Sequence, residues 1–287
     1  MAAGDRTRAT VAAQPEWLAQ VPVERRLPEG RVAVVGCGTS FHAAQTSGNG
    51  FDALEFLLDP PEADVLVLVS HEGTTSLTIE AAAAFPGEKW LVTGKRESDL
   101  ATLCNLVVVA TPAVEESYCH TGSYTCAVAT LAALRGEDVS WLPTAVAKRL
   151  AGERLPVSAH ERFLIAGAGR DWPTAQEAAL KLREGAYLAA EAHRLEELLH
   201  GHLAAVDETV RCFVLEGEGR AAARAADAVG ALRELGCHVT LVPTRHPVVD
   251  IVPFQLLTID LAEARGIDPD LIRWDDPRWK AARDAYA

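Results

Sequence analysis

Glu177, Lys181 and Glu184 recur at a spacing that proton chemistry could use. At 3.6 residues per turn, positions i, i+4 and i+7 fall on one face of a helix. A carboxylate held there can carry a proton between adjacent carbons of a bound ligand. Downstream, Glu196, Glu197, His200 and His202 form a second polar cluster, and a histidine can protonate a ring oxygen. Periodicity alone reads the Glu177–Glu184 stripe as a solvated face supported by one Glu-to-Lys pair at i+4. Lone histidines such as His202 are more often structural.

Three Gly/Ser/Thr-rich segments offer a different chemistry: Gly36-Cys37-Gly38-Thr39-Ser40, Ser70-His71-Glu72-Gly73-Thr74-Thr75 and His120-Thr121-Gly122-Ser123. Small residues let the backbone approach a ligand, while amides and hydroxyls donate to anionic oxygens. Any one such segment reads equally well as a tight strand-to-helix turn with a hydroxyl cap. Three in one small domain point to a hydroxyl-lined pocket, with Gly38, Thr39, Ser40, Ser70, His71, Thr75 and Thr121 as its lining. A nicotinamide fingerprint is incomplete, because Phe41 stands where the third glycine is required. An oxidoreductase is therefore disfavoured.

The elements that must position these residues are legible as apolar runs ending at small polar residues. Strands are predicted within 31–40, 65–75, 89–95 and 105–112, with helical stretches such as 77–84 between them and a long helix over 121–134. This alternation fits a buried parallel sheet. After the polar stretch 149–157 the pattern restarts: the 162–171 run echoes 31–40, each an apolar strand followed by Gly-x-Gly. Further strands are predicted at 211–217 and 238–244, and helices over 174–190 and near 220–235. The layout reads as an internal duplication: an α/β fold of two doubly wound parallel-sheet domains with helices on both faces, residues 1–151 and 152–287. Pro253 and Gly266 bracket a last helix, and the Trp-containing tail is expected to pack down.

Composition narrows the partners. The 287 residues are 49% hydrophobic and 23% charged, as in an ordinary packed protein, and carry a formal net charge of −13. That balance argues against nucleic acid, whose phosphates need basic patches, but not against one small anion held by local dipoles. No run approaches the roughly 20 apolar residues of a membrane span. The first residues lack the apolar core of a secretory signal, so a cytoplasmic protein is expected. Six cysteines, with no Cys-x-x-Cys pair, read as reduced core residues. No metal set is apparent.

With these residues in view, the chain resembles the sugar isomerase (SIS) domain family, in particular the isomerase portion of glucosamine-6-phosphate synthase, over about residues 15–280. Gly36–Ser40 is similar to that family's first phosphosugar loop, and Ser70–Thr75 falls where the family has Ser-Gln-Ser-Gly-Glu-Thr. The strongest likeness is 177–191. It implies two tandem SIS-type domains, with Glu184 transferring a proton between C1 and C2, Lys181 as a further catalytic residue, Glu177 binding substrate, and His200 assisting ring opening across a subunit interface. A homodimer follows from that role, as do a sugar phosphate as ligand and no cofactor.

The departures shape the expected activity. No glutamine amidotransferase domain precedes the repeats, so synthesis of glucosamine 6-phosphate from glutamine is not expected. Ala282 stands where the synthases place a tail lysine, with Lys280 two residues away. His71 replaces a glutamine and Glu72 a phosphate-binding serine. A carboxylate 4 Å from a phosphate charge costs about 1 kcal/mol in water and more when buried. A protonated His71 would offset it; otherwise Glu72 points away, or the ligand is not a conventional phosphosugar there. The resemblance implies an aldose–ketose isomerase, or an isomerising deaminase or deglycase, on a sugar or amino-sugar 6-phosphate. The alternative is a non-catalytic sugar-phosphate sensor. Such regulators often carry a DNA-binding helix-turn-helix, for which the first residues are too short.

Overall fold

A computed structural model describes residues 2–286 as two compact units. One contains residues 6–148 and the C-terminal stretch from Leu271; the other contains 149–270 with the first few residues. The tail thus groups with the N-terminal sheet. Tyr118 stacks on Trp274 with centroids 5.0 Å apart, and the Arg283 guanidinium lies 3.9 Å over the Trp274 ring.

The N-terminal unit runs α1 (Asp5–Leu18), β1 (Val32–Gly36), α2 (Thr39–Gln45), β2 (Gly50–Asp52), α3 (Ala53–Leu58), β3 (Val65–Val69), α4 (Ser76–Ala84), β4 (Glu88–Thr93), α5 (Asp99–Thr102), β5 (Leu106–Val109), α6 (Gly122–Leu134) and α7 (Leu142–Leu150). Its strands are all parallel, in the order β2-β1-β3-β4-β5. The chain leaves β1 towards one edge and later runs from β3 towards the other. The switch point, where open sheets of this kind bind ligands, therefore lies between β1 and β3 at their carboxyl ends. Ala33, Val35, Leu66, Leu68 and Leu91 pack on one face with Phe56, Ala81 and Phe85. Every residue of α6 is buried, as its nearly all-apolar sequence requires.

The C-terminal unit runs β6 (Arg162–Gly167), α8 (Trp172–Ala186), β7 (Ala189–Arg194), α9 (Leu195–Leu199), β8 (Val210–Leu215), α10 (Arg220–Glu234), β9 (His238–Val242), α11 (Pro247–Asp250) and α12 (Val252–Ala264). A last helix, α13 (Pro277–Asp284), belongs to the tail. The sheet is again parallel, in the order β7-β6-β8-β9, with its switch point between β6 and β8. The duplicated turns agree in backbone: Gly38 (φ 55°) and Gly169 (φ 56°) both take the left-handed region after their strands.

One expectation needed correction. The helix predicted over 174–190 stops at Ala186, because Tyr187 takes a left-handed φ of 55° and its amide closes the helix on the Leu182 carbonyl. Residues 189–194 then form the edge strand β7 beside β6, overriding the helix preference of an Ala/Glu-rich segment. The short edge strand β2 and the helix α1 had no counterpart in the predicted elements. The six cysteines are all free. Among the described residues, no helix is long and apolar enough to cross a membrane.

Candidate functional site

In the N-terminal unit, the segments after β1 and β3 flank the switch point. Gly38 is exposed, and a side chain there would meet nothing within 4 Å, so the turn is open to an incoming group. Thr39 and Ser40 begin α2 and are half-buried. Ser70 is buried, and its hydroxyl accepts the Gly73 amide at 3.2 Å. Thr75 is exposed just before α4, with no side-chain cap bond.

Two lining residues have work inside the fold. The Thr121 hydroxyl donates to Glu115 Oε1 at 2.8 Å. His71 is wedged beside Gly94, where an added side-chain carbon would sit 2.2 Å from the His71 ring. Its Nε2 accepts the Glu115 amide at 2.9 Å. Burial, and secondarily the charge of His120, pushes its pKa down to about 4, against a smaller pull from Glu115. His71 is thus neutral at pH 7 and does not offset Glu72. Glu72 itself is exposed.

Glu115 was not singled out in the sequence. Its carboxylate is buried and accepts the amides of Thr121 and Ser123 at 2.8 Å each and of Gly122 at 3.3 Å. It thereby satisfies the otherwise unpaired amides of the buried α6 start. Burial alone would raise its pKa, but bonds from His120 and Ser123 outweigh this and hold it at about 2. A capping side chain six residues before its first partner leaves no local signature, unlike a capping box.

In the C-terminal unit the Glu177–Glu184 stripe is not a solvated face. Glu177 and Lys181 are each 0% exposed. Lys181 Nζ lies 3.4 Å from Glu177 Oε1 and 2.5 Å from Glu184 Oε2. The Glu184 side chain keeps 26% exposure, so one end of the buried system reaches the surface. The cause is packing: α8 lies on β6 and β7 and along α12, and so has little free face. His200 is different. It ends α9, its side chain is 70% exposed, and its Nε2 pairs with Glu196 Oε1 at 2.6 Å.

The corresponding turn of the C-terminal unit is acidic. Asp171 occupies the place that Ser40 has after β1, and it is buried, accepting the Thr244 hydroxyl at 3.1 Å. Burial raises its pKa, and burial with the nearby Asp171 charge pushes Asp250 up to about 7. Carboxylates already short of solvation repel an anion, which disfavours this turn for a phosphate. An open cleft of about 280 Å³, lined by Arg162, Glu191, His193 and His202, lies at the amino ends of β6 and β8. That is the opposite end from the turns where such sheets bind ligands. Among the described residues no cluster of three or more ligating side chains could hold a metal.

The match to known proteins follows this geometry. Residues 157–267 match the SIS domain family. Glutamine–fructose-6-phosphate aminotransferase of Xanthomonas campestris is 29% identical over 313 residues, covering 83% of this chain and 50% of that protein. The chain therefore spans about half the length of the curated relatives it matches. Both sheets, with helices on either side, reproduce the fold of SIS-type phosphosugar isomerases. Glucosamine-6-phosphate deaminase of Thermotoga maritima superposes with a TM-score of 0.77 at 21% identity, covering 93% of this chain and 97% of that one. Tagatose-6-phosphate ketose/aldose isomerase of Escherichia coli gives 0.75 at 17% identity, covering 94% and 95%.

Two outcomes test the electrostatics. Lys181→Met strands two carboxylates around an apolar side chain. It should cost about 3–5 kcal/mol in urea unfolding, with part recovered by adding Glu177→Gln; a loss below about 1 kcal/mol contradicts the burial. Glu115 has a folded pKa of about 2 against an ordinary 4.5. Its stabilisation is therefore complete above the unfolded value and disappears as pH falls towards 2. Glu115→Gln should lose on the order of 3 kcal/mol at pH 7 and progressively less towards pH 3. A pH-independent difference contradicts this.

Proposed function

We propose that the chain binds a sugar 6-phosphate and moves a proton between its C1 and C2. The product is the aldose or ketose isomer or, for an amino sugar, the ketose with release of the amine. The observation that carries this reading is the buried ammonium of Lys181 held between Glu177 and Glu184. A pair buried this way adds little stability over apolar residues of the same size, so its presence suits chemistry better than architecture.

In this reading Glu184 takes the proton from the carbon next to the carbonyl and returns it to the neighbouring carbon through an enediol. Lys181 holds the Glu184 carboxylate in place, and Glu177 neutralises Lys181 from the other side. Ser40, Ser70 and Thr75, with the amides of the β1–α2 and β3–α4 turns, receive the phosphate. His200, exposed and paired with Glu196, assists ring opening from a second copy of the chain in a homodimer. The names of the proteins that share the fold, a deaminase and a ketose/aldose isomerase of hexose 6-phosphates, support the same class of chemistry.

A second reading, a sugar-phosphate-binding protein without turnover, is favoured by two residues. Glu72 lies exposed in the phosphate turn, and Ala282 stands in the tail, where the neighbouring Lys280 is tied to Asp284 at 2.7 Å.

A thermal-shift panel of sugars, amino sugars and their 6-phosphates tests the binding half. Phosphorylated members should raise the melting temperature, and Ser40→Ala should weaken that shift, since a ligand stabilises the state it binds. Stabilisation by unphosphorylated sugars alone would overturn the phosphate assignment. Shifts without conversion of any stabilising sugar would select the sensor.

A further inference from the structure

The segment that opens α6 contains an imidazole that the proposed chemistry does not use. His120 stands one residue before Thr121, and its side chain is 26% exposed. Its Nδ1 lies 3.2 Å from Ser123 Oγ and 3.7 Å from Glu115 Oε2. Glu115 is itself fixed by three amides at the start of α6 and by the Thr121 hydroxyl, so an anion of defined position stands behind one ring nitrogen. A carboxylate behind one nitrogen orients an imidazole and supports the charge it gains when the other nitrogen takes a proton. With Nδ1 turned to Glu115 and Ser123, Nε2 is the nitrogen left to exchange.

His120 also belongs to the ligand turns. The ring of His71, from the β3–α4 turn, meets it edge-on with centroids 5.2 Å apart. His71 Nε2 accepts a backbone amide, which places the proton of that neutral ring on Nδ1. His71 therefore acts as a fixed wall that ties His120 to Ser70–Thr75, while His120, whose side chain keeps 26% exposure, remains accessible from outside. Two aromatic bases in contact thus have separate duties.

We propose that His120, backed by Glu115, is an acid–base group of the sugar-phosphate site, exchanging a proton with the carbonyl oxygen of the sugar. This rests on the binding reading above. As a base withdraws the proton from the adjacent carbon, the C–H electron pair forms the new C=C bond. The C=O π pair takes the proton from His120 Nε2 and becomes the enediol hydroxyl. When a carbonyl re-forms, a hydroxyl proton returns to Nε2. Glu115 stays ionised throughout, and no oxidant or further reactant is needed.

The test uses the full chain with ¹⁵N-labelled histidines and glucitol 6-phosphate, which carries the phosphate but has no carbonyl to react. His120→Gln assigns the ring signals. The expected result is that the His120 nitrogens shift on adding glucitol 6-phosphate. His120→Gln should then keep its affinity for that probe within about threefold, while kcat for the sugar phosphates of the panel falls roughly 10²–10⁴-fold. His120 signals that stay still while the Gly38 and Ser70 amides respond would overturn this inference alone. So would unchanged kcat in His120→Gln, or affinity lost with kcat intact. No response anywhere to glucitol 6-phosphate would remove the phosphate site as well. If His120→Gln fails to fold, through-bond correlation from the assigned backbone identifies the His120 ring, and its response to glucitol 6-phosphate still decides.

Discussion

An ammonium with no access to water must be surrounded by negative charge or lose its proton. Lys181 meets that condition with Glu177 on one side and Glu184 on the other, all on a single helix face. The rest of the C-terminal unit follows from keeping this face covered. α8 is closed in by β6, β7 and α12, and Tyr187 accepts a left-handed backbone so that the chain can turn at once into the edge strand β7. Only Glu184 reaches partly out, so whatever the buried charges do for a ligand is done through that carboxylate.

The N-terminal unit solves the complementary problem. α6 is buried along its whole length, including its start, and the amides there need an acceptor. Glu115 supplies it, and in doing so fixes Thr121, Ser123 and His120 in one arrangement beside the β3–α4 turn. The same anion that completes the fold therefore shapes the wall of the candidate site. The two switch points have been differentiated by one substitution of type: a hydroxyl at Ser40 suits an anion, whereas the carboxylate at Asp171 repels it.

Much of this was legible in the sequence. The strands of both sheets are short apolar runs that read as buried parallel strands, and the echo between 31–40 and 162–171 survives in matching glycine conformations. What escaped was set by tertiary context. β7 is built from alanine and glutamate and becomes a strand only because β6 offers it a parallel partner. The stripe from Glu177 to Glu184 has the periodicity of a solvated face, and nothing local tells that α12 and the sheet cover it. His71 looked like a cation for an anion-binding turn, yet packing against Gly94 and a bond from the Glu115 amide make it a neutral, structural ring. Glu115 was invisible because its partners lie a loop away from any capping pattern.

The central claim is that the carboxylate at the end of the buried charge line moves a hydrogen on a sugar phosphate. It is tested most directly by incubating a stabilising hexose 6-phosphate with the protein in heavy water and following deuterium at C2 by NMR. The account predicts deuterium uptake at C2 with the wild-type chain and its loss, at unchanged binding, with Glu184→Gln. Uptake that persists in Glu184→Gln, or a bound sugar phosphate whose C2 hydrogen never exchanges with the wild-type chain, would contradict it.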